Sequence, residues 1–411
     1  MEAPPSPEEL RACDVAHLLS PRRIPGLHIF CVLPPAGGAP GTSATALSGA
    51  RVAAWESADG SKSSADKASD IFVLPNIAPG APPGNPHALT TLAEVVSTFG
   101  AHLRFPYRGP QWQDPAFFTP EGQRIASLAA LARASTGGQS PAVLCLYEGG
   151  QFIWPPGHVD SERFVELPDG HRATIRTLSL QPVVLSIENF LRPEESGHII
   201  EKALPHLKKS GVALKDVDKG REAKEFRTSS QYFLPTSGDS KLEEIDERVM
   251  WLMRVPVTHA EYIQVLRYNN MEHYSAHHDY FDPREYASNA DMRRETMEGA
   301  KNRLATVFFY LSDVAEGGAT NFPRAGGGPP PRDFFDCSKG LSVYPQNGKV
   351  IVFYSMHPSS ELDPYSLHGG CDVYNGTKFS GNYWLWNWEY HFSRGHRTRQ
   401  FEDYKKAMWL S

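Results

Sequence analysis

The chain has 411 residues, 40% of them hydrophobic, with 41 Lys and Arg against 47 Asp and Glu and a net charge of −6. That length suffices for two domains, or for one with a large extension. A net-negative chain argues against nucleic acid as a partner, which calls for a basic face, and no run of ~20 apolar residues marks a membrane span. The start, MEAPPSPEELRACD, lacks the basic residues and apolar run of a secretory leader. Nothing in the sequence sets an oligomeric state.

Residues 1–26 read as disordered or loosely packed. LHIFCVL (27–33) is apolar and strand-like, and 34–70 reads as a flexible loop rich in Ala, Gly, Ser and Pro. IFVLPN (71–76) is a second strand, and 87–103 and 121–135 have helical periodicity. AVLCLYEGGQFIWP (142–155) reads as a hairpin turning at Glu148-Gly149-Gly150. Residues 27–165 thus form a small α/β accessory region of open role. From 182 the pattern changes to a strand, a turn at Arg192-Pro193 and a helix to 207, with Glu194 and Glu195 favouring the helix N-terminus. A second amphipathic helix covers 241–255. Strands follow at 260–268, 273–280, 303–311, 340–344, 348–355, 366–374 and 378–390. Helices first and many strands after predict a mainly β fold, with helices buttressing a two-sheet jelly roll. The charged stretch 284–301 reads as a loop or a solvated helix, and AGGGPPP (325–331) as a connector. Residues 396–411 are a C-terminal tail.

Two short segments carry chemistry, HHDYF (277–281) and SLHGGCDVYNGTK (366–378). In a strand, residues two apart share a face, so His277 and Asp279 can reach one metal while His278 points away. His368 must then come from another strand. Two imidazoles and a carboxylate suit non-haem Fe(II) with open positions; spacing alone leaves zinc open. Lys378, ten residues beyond His368, adds a fixed cation for a dicarboxylate. An H-x-D triplet is weak by itself, because the chain has 16 His and a second triplet at His158-Val159-Asp160. His273 reads as a surface or wall residue.

The flanking blocks raise the specificity. RTSSQYFL (227–234), VPVTHAEYIQVLRY (255–268), HYSAHHDYFDP (273–283), NRLATVFFYLSDVAEGGATNFP (302–323), GLSVYPQNGKVIVFYS (340–355) and SLHGGCDVYNGTK occur in one order. Together they resemble the plant and algal prolyl 4-hydroxylase family of Fe(II)/2-oxoglutarate dioxygenases. The resemblance implies a double-stranded β-helix dioxygenase domain over 182–395. It implies His277, Asp279 and His368 as iron ligands and Lys378 as partner of the 2-oxoglutarate C5 carboxylate, with Tyr268 and Thr320 hydrogen-bonding the co-substrate. Arg227, Glu261, Gln264, Tyr274, Arg303 and Trp384 would line a peptide groove. The activity implied is hydroxylation of peptidyl proline to 4-hydroxyproline in proline-rich proteins, with O2 consumed, succinate and CO2 released, and ascorbate as reductant. The substrate would be a polyproline II peptide. A dioxygenase acting on another residue or small molecule, or a non-catalytic peptide-binding scaffold, are the competing readings.

The chain departs from the family at Met271-Glu272, where Gly-Gln is usual, and at Trp386, where many relatives carry a polar residue. An odd count of five cysteines forbids full pairing; the resemblance implies a Cys337–Cys371 disulfide. It also implies the endoplasmic reticulum or secretory pathway, although no signal peptide or transmembrane segment is read in the chain.

Overall fold

A computed structural model describes residues 5–35, 44–56, 67–79, 81–82, 84–85, 87–106, 109–136, 141–390 and 396–410. The chain separates into two compact units. One comprises Met1–His158, His357–Ser360 and Asp403–Ser411, the other Val159–Met356 and Glu361–Glu402. No helix among the described residues is long and apolar enough to cross a membrane.

The first unit holds strands β1 (Leu27–Leu33), β2 (Arg51–Glu56), β3 (Asp70–Val73), β4 (Ala116–Phe118), β5 (Arg124–Ile125) and β6 (Ala142–Tyr147). They pair antiparallel in the order β5-β4-β6-β1-β2-β3, and the terminal strand Trp409–Leu410 adds to β5 in parallel. Helices α2 (Leu92–Leu103) and α3 (Leu128–Thr136) contribute Val95, Phe99 and Leu131 to a core shared with Phe30, Phe72 and Phe117. A reciprocal cap between Thr91 and Glu94 starts α2.

Four sequence expectations change here. Residues 5–26 are ordered: helix α1 (Pro7–Ala12) is capped by Ser6, and Leu10, Val15, Leu18 and Leu19 are buried. A Cys13–Cys31 disulfide ties this segment to β1, and Arg51 pairs with Glu9 at 2.6 Å. The expected loop 34–70 contains β2, although 36–43 and 57–66 lie outside the described residues. The expected hairpin at 142–155 has only its first strand, because β6 pairs with the distant β1 and β4. The tail forms helix α7 (His396–Met408), its last strand closing the sheet edge.

The second unit is mostly β. Its nine-stranded sheet runs in the order β10 (Lys208–Lys209), β11 (Ser230–Leu234), β12 (Ile263–Tyr268), β21 (Lys378–Trp386), β14 (Arg303–Tyr310), β18 (Val350–Tyr354), β9 (Val183–Glu188), β8 (Arg172–Leu180) and β7 (Glu162–Glu166). The β7–β8 pair falls partly in a stretch that the sequence reading left blank. A four-stranded sheet has the order β13 (Tyr274–His277), β19 (His368–Gly370), β16 (Thr320–Phe322), β17 (Leu341–Val343). β15 (Glu316–Gly317) pairs with β20 (Val373–Asn375). Gly317 has φ +82°, and a Cβ there would fall 2.3 Å from the Asp372 carbonyl oxygen, so only glycine fits. Helix α4 (Pro193–Ala203) opens at Pro193 as expected. Helix α5 (Ser240–Met253) is capped by Asp239 and turns Ile245, Val249 and Met253 inward. Within the stretch 284–301 a short helix, α6 (Ala290–Glu295), forms behind an Asn289 cap.

Candidate active site

The antiparallel pairing of β13 with β19 sets His277 directly opposite His368. Residues opposed in this way face the same side of a sheet, and their rings lie 4.6 Å apart. Asp279 stands beyond the end of β13, so strand alternation does not place it as expected. Its Oδ1 nevertheless lies 3.6 Å from His277 Nε2, and its Oδ2 3.6 Å from His368 Nε2. One ligand atom from each of the three lies within 4.8 Å of the others. Each imidazole has Nδ1 at 2.9 Å from a carbonyl two residues earlier, Ser275 and Ser366. Donation from Nδ1–H to that carbonyl leaves the Nε2 lone pair for a metal.

Burial holds His368 down, to about 4. Burial opposes ionisation of Asp279, but His368 and His277 beside it hold its carboxyl well below the usual carboxylate range. The neutral His368 imidazole and the Asp279 anion, with His277 beside them, make up the donor chemistry of a ferrous facial triad.

Among the described residues, His158 and Asp160 join no metal-ligating cluster. His273 bonds Asp372 at 2.8 Å, which fits the expected wall role. His278 turns away to the Pro364 carbonyl and stacks on Tyr280.

Lys378 is the first residue of β21 and pairs across the sheet with Tyr268. Its Nζ sits 5.3–5.7 Å from the ring centres of Tyr268, Phe308 and Tyr310. It is 2% exposed, and burial alone pulls its ammonium down to about 7. Among the described residues no carboxylate pairs with it, and a buried cation so placed is costly unless an anion arrives. Thr320, also buried, lies in β16, opposite Gly370 of β19.

A cavity of about 750 Å³ opens beside His277 and Asp279. Arg227, Gln264, Tyr274, Arg303 and Trp384 line it. Tyr274 stacks on His277 at 3.7 Å, and Arg227 lies over the Tyr274 ring at 4.5 Å. Arg303 stacks on Trp384 at 3.5 Å. Glu261 is absent from this lining, unlike the sequence expectation. Its carboxylate accepts from Arg303 Nε (2.7 Å), Arg303 Nη2 (3.2 Å) and Trp386 Nε1 (2.8 Å), so it sits behind Arg303 and fixes it.

The sequence reading missed three contributors. Phe334 and Phe335 form one wall, held by Ala276 N–H donating to the Phe334 carbonyl and by the Cys337–Cys371 disulfide. Residues 211–218 form another wall. Thr306 donates to Asp279 Oδ2 at 2.6 Å; its signal was a lone hydroxyl inside the apolar run of β14. Of the family departures, Met271 holds φ 62°, a left-handed conformation that glycine enters at no cost. Trp386 is buried against Phe281 and Tyr390.

Residues 263–386 match the model of the 2OG-Fe(II) oxygenase superfamily. Probable prolyl 4-hydroxylase 10 of Arabidopsis thaliana is 39% identical over 235 residues, which cover 56% of this chain and 74% of that protein. Prolyl 4-hydroxylase 1 of the same plant is 37% identical, over 51% of this chain and 70% of its own. Among solved structures, a viral collagen prolyl hydroxylase from Paramecium Bursaria Chlorella virus-1, in a 2OG complex, is similar over 49% of this chain and 95% of its own, with 24% identity and a TM-score of 0.35. The chain belongs to the prolyl 4-hydroxylase family of 2OG-Fe(II) oxygenases. It is a 2-oxoglutarate-dependent dioxygenase of the prolyl hydroxylase type.

Proposed function

We propose that this enzyme converts peptidyl proline to 4-hydroxyproline in proline-rich polypeptides, consuming 2-oxoglutarate and O2 and releasing succinate and CO2. The observation that carries the substrate reading is the polarity of the cavity. Its lining sets the rings of Tyr274, Phe334, Phe335 and Trp384 beside the guanidinium groups of Arg227 and Arg303. A proline-rich strand supplies carbonyl acceptors, brings few N–H groups of its own, and is already extended as polyproline II. Such a ligand would lay its rings on the aromatic walls and offer its carbonyls to the guanidinium groups without bringing many unmet donors of its own. The named groups all lie within 182–395, and we assign the double-stranded β-helix to that stretch.

His277 Nε2, Asp279 and His368 Nε2 would hold Fe(II), which with 2-oxoglutarate and O2 supplies the oxidation of an unactivated C–H bond. The rest is the work of the chain. Ser275 and Ser366 fix the imidazole tautomers through their carbonyls. Lys378 Nζ meets the far carboxylate of 2-oxoglutarate, and Tyr268 and Thr320 flank it. Arg303, immobilised by Glu261, holds the Trp384 ring flat against the cavity, and Arg227 bonds a substrate carbonyl. Ascorbate serves as reductant. The disulfides Cys13–Cys31 and Cys337–Cys371 favour an oxidising compartment such as the secretory pathway.

The test is an incubation of the full chain with Fe(II), 2-oxoglutarate, ascorbate and poly-L-proline. Succinate is measured together with the mass of the peptide. One added oxygen per modified proline, with matching succinate, is expected. Succinate formed with no oxygen on proline would overturn the substrate assignment.

A further inference from the structure

Asp279 is the one ligand that regular strand pairing does not place, since β13 ends at His277. The residues that hold it come from the start of β14 and the residue before it. Asn302 brackets Phe281, accepting from its N–H at 2.9 Å and donating to its carbonyl at 2.7 Å. Arg303 Nη1 donates to the Asp279 carbonyl at 3.3 Å. Thr306 Oγ1 donates to Asp279 Oδ2 at 2.6 Å. Thr306 is fully buried in the middle of the nine-stranded sheet, opposite Trp384 on one side and Phe353 on the other. A hydroxyl in such surroundings is unfavourable unless it is bonded, and its bond here goes to the anion.

Each Asp279 oxygen stands 3.6 Å from a different imidazole Nε2. An ion placed among the three side chains is therefore within reach of both oxygens. The carboxylate torsion is intrinsically broad, and carboxylates bind metals through one oxygen or through two. The Thr306 hydroxyl is what makes the two oxygens unequal.

We propose that Thr306 is a positioning residue of the metal centre: its hydroxyl occupies Asp279 Oδ2, so that the carboxylate offers the metal Oδ1 alone. Metal positions that a two-oxygen carboxylate would cover stay available to co-substrate and O2. A short bond from a neutral donor to a carboxylate is among the stronger hydrogen bonds, so it resists rotation when the metal binds. The proposal rests on His277, Asp279 and His368 being the metal ligands and on nothing about the peptide.

The experiment uses the full chain, freed of metal and titrated with Co(II) as an optical probe. Thr306→Val keeps the shape and removes the hydroxyl; Thr306→Ser keeps the hydroxyl. The valine variant is expected to bind Co(II) about 10–100-fold more weakly, the range for loss of an outer partner of a metal ligand. Its visible Co(II) spectrum should change, and cooperative unfolding without metal shows that it is folded. The serine variant should retain the wild-type spectrum and affinity. In turnover, the valine variant should consume more 2-oxoglutarate per hydroxyproline formed. Wild-type affinity and spectrum in the valine variant overturn the proposal. Should that variant not fold, Thr306→Ala is read by the same two criteria. His277→Ala separates the two levels. If it loses Co(II) binding while Thr306→Val does not, only the role of Thr306 falls. If it binds as wild type, the ligand assignment itself falls.

Discussion

Both units pack rings on rings, imidazoles and cations, as Phe72 on His102 and Arg124 over Phe118 show for the first; they differ in what those contacts surround. In the first, Phe30, Phe72, Phe99 and Phe117 meet one another at tilted or edge-on angles, with ring centres 4.9–5.5 Å apart. A buried charge there faces a partner, as Arg51 does Glu9 at 2.6 Å. In the second unit the rings meet charges and imidazoles: Trp384 under Arg303, Tyr274 on His277, and three rings around Lys378. The first arrangement is explained by stability alone. The second places a buried lysine among rings, and Arg227 Nη2 and Trp384 Nε1 have no partner among the described residues, as Trp55 Nε1 and Ser135 Oγ have none in the first. What sets the site apart is the buried lysine together with three converging side chains that can hold a metal, not unmet polarity as such.

Substitutions can break that contrast. His277→Ala or His368→Ala should lower turnover by well over ~100-fold, beyond the loss typical of an outer partner; succinate release measures it. Lys378→Ala should weaken 2-oxoglutarate binding by about 3–5 kcal/mol, the range for breaking a buried pair. Calorimetry that finds wild-type affinity would remove Lys378 from the site.

The same lysine predicts a pH dependence. Burial holds its ammonium down to about 7. Below that pH the group is charged before the ligand arrives, and affinity is flat. Above it the free protein carries a neutral amine that must take up a proton on binding, so affinity falls by up to ~10-fold per pH unit. Calorimetry in buffers of different ionisation enthalpy reads the proton uptake directly.

Phe99→Ala tests the other side of the contrast. It should cost about 3–5 kcal/mol of stability, seen as early unfolding or lost hydrogen-exchange protection in the first unit. Co(II) affinity should stay unchanged; a tenfold loss would mean that the first core also serves the metal. The smallest effect belongs to Trp386→Phe. It keeps the ring and removes one donor to Glu261, a bond worth ~1.5–3 kcal/mol. Peptide KM should rise by about tenfold, with the 2-oxoglutarate KM unmoved.

The sequence disclosed the site more fully than the fold around it. The two imidazoles, the carboxylate and Lys378 stand out because the blocks around them resemble one family in one order; the H-x-D triplet alone does not separate His277 and Asp279 from His158 and Asp160. The helices at 193 and 241 were legible from a proline at the helix start and from apolar spacing. What escaped depends on distant partners. β6 was read as half of a hairpin because its true neighbours, β1 and β4, are not adjacent to it in the chain. The order of residues 5–26 rests on a disulfide whose second cysteine lies in β1. The family resemblance places Glu261 in the groove, but the Arg303 guanidinium lies in front of it, a partner 42 residues away that the resemblance does not reveal. Thr306 was passed over because a single hydroxyl in a strand carries no periodic signal.

The register that opposes His277 to His368 has a consequence for how such an enzyme can be altered. Side chains along a strand alternate sides, so sliding β19 by one residue past β13 would present Gly369 where the imidazole belongs. Loops feeding β19 can lengthen or shorten freely if the strand returns in phase. A lone deletion within 368–370 would instead take the imidazole away from the centre and from the Phe322 and Phe353 rings it packs against, and put the strand out of phase with the Cys337–Cys371 disulfide.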